Sequence, residues 1–455
     1  MKHAVILCAG AGTKIWPYAQ IRCKAMLPIS NKPIVAHTVD ALTALGFEKI
    51  ILVTGRFPEE LAAYFKNFAN VSLVADANPQ GTAYSLLRAE EAVGGADFLA
   101  LYGDTLVAAA DLERLASAFE ENRQATALVQ PIRGRSTDCV GCRVENGQVA
   151  EITGHARGGV THQFGGFAFR GDIFSKLPYA LRRFTHTEVG MMSPAEGYLE
   201  NLLAEEIAEG QPLAALEAQE PFFDIDKPWH ILEANYMSNR LLCGALTQNE
   251  LAEGASIDPS AAINGFVRLG KNSRIGKNVI IEGNILVGEN TNILNGAMIQ
   301  GNVVIGSRCT IRNACYVEIN SSIGDDCVVS HAAELEGIIM RRVYLYHYME
   351  FYGIIGENTD LGAATVCGSL RFDDGGTVHR VKGRRELPEH FGNATFLGDY
   401  VRTGVNAILM PGVKVGVRSV VGPGVLLNKD VPDDTLVYTE QELKEKPWGS
   451  EMYGW

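Results

Sequence analysis

Two stretches of this sequence combine residue types that handle phosphate. The apolar run Ala4–Cys8 ends in Ala9-Gly10-Ala11-Gly12-Thr13-Lys14. Glycine after a buried strand lets the backbone turn tightly and bring its N–H groups up to phosphate oxygens. A second apolar run, Phe98–Leu101, ends in Tyr102-Gly103-Asp104. A carboxylate just past a strand end can reach a divalent cation seated on phosphates. Either feature alone is weak evidence; together they direct attention to what lies beyond the carboxyl ends of the strands.

The elements that must position these groups alternate along residues 1–240. Ala4–Cys8, Lys49–Val53, Phe98–Tyr102 and Thr126–Gln130 read as strands. Ile34–Leu45, Pro58–Phe65, Gly81–Ala92 and Leu112–Glu121 read as the helices between them. Such alternation predicts an α/β domain: a Rossmann-like mixed, mostly parallel sheet with helices on both faces. Ligands bind beyond the strand ends in sheets of this kind.

The periodicity changes near residue 255. From Ile257 to Leu335 an aliphatic residue recurs at every sixth position, fourteen times without a miss, and glycine follows at 270, 276, 288, 306 and 324. Neither a helix nor an alternating strand has that period. It predicts a left-handed parallel β-helix of hexapeptide repeats, with aliphatic residues stacked inward ~4.8 Å apart. The count breaks from about 336 to 354, resumes at Ile355-Gly356, yields to a polar insertion at 366–391, and returns from Leu397 to Leu427. The expected organisation is therefore an N-terminal domain (1–240), a linker (241–254), a β-helix (255–435) and a tail (436–455) laid over a neighbour or mobile.

The first stretch continues into Lys24-Ala25-Met26-Leu27-Pro28-Ile29. The combination resembles the signature of the sugar-phosphate nucleotidyltransferase family, over residues 1 to about 240. That resemblance implies attack by a sugar 1-phosphate oxygen on the α-phosphorus of a nucleoside triphosphate, with pyrophosphate expelled and Mg2+ required. It assigns Ala9, Gly10, Gly12, Thr13 and Gly103 to the nucleotide. Lys14 would hold the leaving phosphates, where the family more often has Arg. Lys24 would bridge the α-phosphate and the attacking sugar phosphate. Asp104 would ligate the metal, joined by Asp224 of Phe223-Asp224-Ile225-Asp226, in which Asp226 stands where glycine is common. Gln80-Gly81-Thr82 matches a motif that packs against the base. Asp76 sits where uridine-using relatives often carry Gln; an ionised Asp offers only acceptors, which suits a base with two donors such as guanine.

The sugar pocket departs from the family pattern. Gly141 and Gly166 fit its glycines. In place of Val-Glu-Lys-Pro, however, the chain has Thr153-Gly154-His155-Ala156. His155 is the candidate to take over from the lysine, while Gly154 brings no carboxylate. The β-helix half is similar to that of archaeal-type bifunctional uridylyltransferase/acetyltransferases, through Gly362-Ala363-Ala364-Thr365 and Leu370-Arg371-Phe372-Asp373-Asp374. This implies acetyl-CoA as a substrate and His347 as general base, although His347 lies one position out of register and the family's two asparagines match Asp360 and Ser369. It also implies a homotrimer.

Composition sets the outer bounds. A formal net charge of −13 argues against a general nucleic-acid binder. No run approaches the roughly 20 apolar residues of a membrane span, and the N-terminal apolar stretch is too short for a signal peptide. Nine scattered cysteines suit a reducing compartment, so a cytoplasmic protein is expected. Cys139 and Cys142 lack the second pair that a zinc site needs. Two rival readings stay open: acyl-CoA-dependent acetyl transfer as the main activity, or a non-catalytic scaffold or regulator that binds a nucleotide-sugar.

Overall fold

The computed structural model describes residues 1–132, 139–154, 158–180 and 196–449. The N-terminal half is built on a nine-stranded sheet in the order Val71–Ala75, Lys49–Thr54, His3–Cys8, Phe98–Tyr102, His162–Phe169, Thr126–Pro131, Ala214–Glu217, Gln148–Thr153, Gly141–Glu145. The first four strands are parallel, and His162–Phe169 runs antiparallel to both its neighbours. Both faces of the central strands are covered, which is why they read as continuous apolar runs. Val5, Ile51 and Phe98 pack into one layer, and Ile6, Leu52 and Leu99 into the other. In register, Cys8 lies opposite Thr54 and Leu7 opposite Tyr102, so the loops that follow converge at one edge.

Two local expectations need correction. Gly81–Ala92 is not one helix: Thr82–Leu87 and Glu90–Val93 are separated where the Arg88 and Ala89 amides bond back three residues instead of four. Residues 241–254 are not a loose linker, since the helix Pro228–Gly244 occupies their start and the first parallel strand is Glu250–Leu251.

The C-terminal half consists of short parallel strands in curled sheets, the arrangement of a left-handed β-helix. Ile257, Ile275, Ile293, Ile311 and Val329 stack in one inward column, one coil of 18 residues apart. Corners take left-handed backbone, as at Asn272, Asn290, Asn302 and Asn320, because Asn tolerates that conformation better than other side chains.

The break in the count at 336–354 is not a break in the coil. Leu335 and Ile339 share one strand, Glu334–Ile339, which pairs with Glu350–Ile355. Each coil here is two residues shorter, so the repeat shifts phase while the stack continues. Gly337 and Gly353 (φ +122° and +135°) make this possible: a Cβ on Gly337 would meet the Gly353 carbonyl, and one on Gly353 the Thr395 carbonyl. Likewise, Leu436–Val437 is the last β-helix strand and not part of a free tail.

The two halves pack closely. Outward-facing Ile338, Ile354 and Phe396 join Ile15, Tyr18, Ile225 and Trp229 in one buried cluster. Asn239, on the helix Pro228–Gly244, donates to the Asn320 and Ser321 carbonyls and accepts from Ser30. The polar insertion leaves the β-helix after Cys367 and rejoins at Thr395, carrying the hairpin His379–Val381/Arg384–Glu386 back onto the N-terminal half. His379 is 2% exposed. One ring nitrogen lies 2.7 Å from the Gly392 carbonyl, and the other accepts from the buried Lys414 ammonium at 3.1 Å.

Burial first, and the facing Lys414 second, push the His379 imidazole down to about 4. The unfolded chain therefore binds the extra proton more readily between about pH 6.5 and 4, and stability falls as pH drops through that window. Denaturant unfolding should show a loss of up to about 3 kcal/mol from this residue. His379→Gln should flatten the slope, and an unchanged slope would contradict the assignment.

Candidate active site

The loop after the first strand is shaped by close approach. Gly12 has φ +63°, and a Cβ there would sit 2.7 Å from the Ala19 Cβ and 3.3 Å from the Lys24 Cβ. The loop is also anchored from outside its own domain. Trp16 donates to Asp433, the Tyr18 hydroxyl donates to the Ile354 carbonyl, and the buried Arg22 pairs with Asp399 at 2.5 Å and Glu357 at 3.3 Å. The β-helix thus holds the segment on which Lys14 and Lys24 stand.

Asp104 and Asp224 are brought together by a two-stranded ladder. Thr105–Leu106 pairs antiparallel with Phe223–Asp224, Thr105 opposite Asp224, and the Ile225 amide donates to the Asp104 carbonyl at 3.0 Å. Lys24, 9% exposed, donates to Asp104 Oδ2 at 2.6 Å and to Asp226 Oδ1 at 3.1 Å. Lys14 donates to the other oxygen of Asp226 at 2.7 Å. Asp226 is therefore the hub of the network. Sequence reading registered it only as a departure from glycine, which was the one available signal.

The electrostatics follow from three carboxylates facing two ammonium groups. Burial works against the charged forms, yet Lys24 and Lys14 hold Asp226 well below the usual carboxylate range. Against the same burial penalty, Asp104, Asp226 and Asp224 hold the Lys24 ammonium above its ordinary value. The surplus falls on Asp224, whose carboxyl is pushed up to about 7 by burial, then by Asp226 and Asp104. A carboxyl pair short of positive charge fits a divalent cation. Asp104 and Asp224 are the residues that would hold such a cation. Among the described residues no three His, Cys, Asp or Glu side chains converge to hold a metal unaided.

The remaining predicted residues are placed as follows. Gln80 and Gly81 lie against Gly197, and Thr82 accepts from the Leu199 amide while donating to Glu200 at 3.1 Å. Glu200, which sequence reasoning missed, also accepts from the Tyr102 hydroxyl. Asp76 is 2% exposed, accepts from Ser85 at 2.7 Å and faces Arg88 at 3.7 Å. That geometry makes it a brace for the helix Thr82–Leu87, directly behind the Gln80–Thr82 motif. Gly141 pairs across the sheet with Gln163, and Gly166 with Leu101. His155 lies outside the described residues. His347 is remote in sequence and fold from this cluster, at an exposed β-helix corner with its ring 4.7 Å from that of His331 one coil before. Asp360 is paired with Arg402.

A cleft opens beside Asp224. One wall is N-terminal, including Gln163, His230 and Glu233; the other is the β-helix insertion at Glu386–His390. Lys227, 2% exposed, bonds Glu386 across the divide at 3.0 Å, and Trp229 packs against His379 with ring centres 5.0 Å apart.

Residues 4–219 match the model of the MobA-like NTP transferase domain. The chain is 31% identical to the bifunctional protein GlmU of Methanococcus maripaludis (strain C7) over 450 residues, 97% of this chain and 98% of that one. It is 24% identical to the bifunctional sugar-1-phosphate nucleotidylyltransferase/acetyltransferase of Sulfurisphaera tokodaii over 447 residues, 94% and 98% of the two chains. Among solved structures, UDP-glucose pyrophosphorylase complexed with UDP-glucose aligns with 53% of this chain and 99% of its own, at 18% identity and TM-score 0.47. Identity at the level of the first relative, sustained through both halves, means that this chain belongs to the family of GlmU-like bifunctional sugar-1-phosphate nucleotidylyltransferase/acetyltransferases.

Proposed function

We propose that the N-terminal half transfers a nucleotidyl group from a nucleoside triphosphate to a sugar 1-phosphate, releasing pyrophosphate. The carrying observation is the network Lys14–Asp226–Lys24–Asp104 beside Asp224. A phosphate oxygen of the sugar attacks the α-phosphorus, and the bond from that phosphorus to the β-phosphate oxygen breaks. Both reactants are anions, so catalysis consists of gathering positive charge around the reacting phosphorus. Lys14 and Lys24 exchange Asp226 for phosphate oxygens when the triphosphate arrives. Mg2+, when bound, supplies the charge that the reacting phosphates and the Asp104/Asp224 pair both lack. His155 and the glycines Gly141 and Gly166 belong to the sugar side of this reading.

The β-helix half carries the acetyltransferase role of the family. The pair of imidazoles at His347 and His331, 4.7 Å apart and tilted to one another, supports an acetyl-CoA-dependent step at that corner, and release of free coenzyme A in the presence of an amino-sugar phosphate assays it. A homotrimer through the β-helix is supported by two exposed apolar pairs on one outward ladder, Ile280–Met298 and Ile408–Leu426, with Glu334 and Glu350 between them. Nine scattered cysteines suit a cytoplasmic setting. Among the described residues no helix is long and apolar enough to cross a membrane.

Two outcomes are expected from pyrophosphate release measured over a panel of nucleoside triphosphates and sugar 1-phosphates. The wild-type chain turns over at least one pair, and Lys24→Ala lowers kcat by roughly 10²–10³-fold; full activity in Lys24→Ala would refute the reading. Asp226→Asn keeps the shape but frees Lys14 and leaves Lys24 on Asp104 alone, so the KM for the triphosphate should fall severalfold. A higher KM would mean that Asp226 positions the lysines and does not compete for them.

A further inference from the structure

The cleft beside Asp224 is built from both halves of the chain, and one of its walls comes from the polar insertion. The insertion is fixed there by three contacts of different kinds. Glu386 pairs with Lys227, His379 packs on Trp229, and Phe391 meets Tyr236 edge to face at 5.0 Å. Val381 and Phe396, at the hairpin and its return, share a buried cluster with Ile225 and Trp229. The docking surface is therefore the same stretch, Ile225–Tyr236, that follows Asp224.

We propose that Glu389 and His390, carried on this insertion, complete the acceptor-sugar pocket and select the sugar ring. The inference rests on the function proposed above and names the part of the site that the N-terminal half leaves incomplete. Gly154 offers no side chain to a sugar hydroxyl. Gln130, on the opposite wall, is committed to the Phe222 backbone through both ends of its amide. Glu386 is engaged by Lys227. Glu389 and His390 line the same cleft with exposed side chains.

The cleft's charge defines the ligand. Its lining includes Asp224, Glu233, Glu386 and Glu389, and among the described residues that line it there is no Lys or Arg. The lysines stand at the phosphate end, around Asp226. A sugar 1-phosphate thus meets cations at its phosphate and acceptors at its ring. Rings rich in donors, hexoses and amino sugars, fit such a wall. A ring carrying a carboxylate, as in a uronic acid, would face four carboxylates with only His230 and His390 as basic neighbours.

The test uses the full-length protein and the double variant Glu389→Ala/His390→Ala, with Arg385→Ala, exposed on the same hairpin, as the control. Calorimetric binding of glucose 1-phosphate, glucosamine 1-phosphate and glucuronic acid 1-phosphate is measured beside KM values for each sugar and for the triphosphate. The double variant should weaken binding of the preferred sugar roughly tenfold and raise its KM to match. It should also narrow the preference against the uronate and leave the triphosphate KM unchanged. Equal Kd values and an unchanged order of preference in an active enzyme would overturn this inference alone. A wild-type protein that binds none of the sugars and releases no pyrophosphate would overturn it together with the function on which it rests.

Discussion

Two lysines and three carboxylates share one small volume at the edge of the front sheet, and they do not balance. Asp226 takes one ammonium on each oxygen, and Asp104 takes a second bond from Lys24. Asp224 is left beside two like charges with no lysine bond of its own, and burial first, then those charges, raise its proton affinity. A site arranged in this way gains most from a ligand that brings cation and phosphate together. Phosphates would satisfy the lysines, and a divalent cation would satisfy the carboxyl pair. Until then Asp226 occupies both lysines in the place of the phosphates.

That balance depends on the β-helix. Lys14 and Lys24 stand on a loop whose Trp16, Tyr18 and Arg22 are bonded to β-helix residues. The strand bearing Asp224 runs straight into the helix Pro228–Gly244, whose Asn235 and Asn239 are buried against the same body. The phase-shifted coils around Gly337 and Gly353 present Ile338 and Ile354 to this interface. The repeat is therefore a structural support for the front site, and the insertion it carries closes that site from the far side.

Much of this was legible in the chain itself. The fourteen hexads specified the β-helix because a period of six has few other physical explanations, and the apolar runs before Gly10 and Asp104 located the converging loops. Three features were not legible, each for a definite reason. The break after Leu335 looked like an interruption because a two-residue contraction changes phase without changing the inward column. The hub role of Asp226 and the docking of the insertion escaped because the partners, Lys14 at one end of the chain and Lys227 against Glu386, are distant in sequence and meet only after folding.

The central claim concerns a metal-dependent grip on triphosphate by Asp104 and Asp224 next to the two lysines. The most direct measurement is calorimetric binding of each of the four common ribonucleoside triphosphates, with and without Mg2+, to the wild-type chain and to Asp104→Asn/Asp224→Asn. The account predicts that Mg2+ tightens binding of the preferred triphosphate in the wild type and has no such effect in the double variant. Retention of the full Mg2+ effect without those two carboxylates would contradict it.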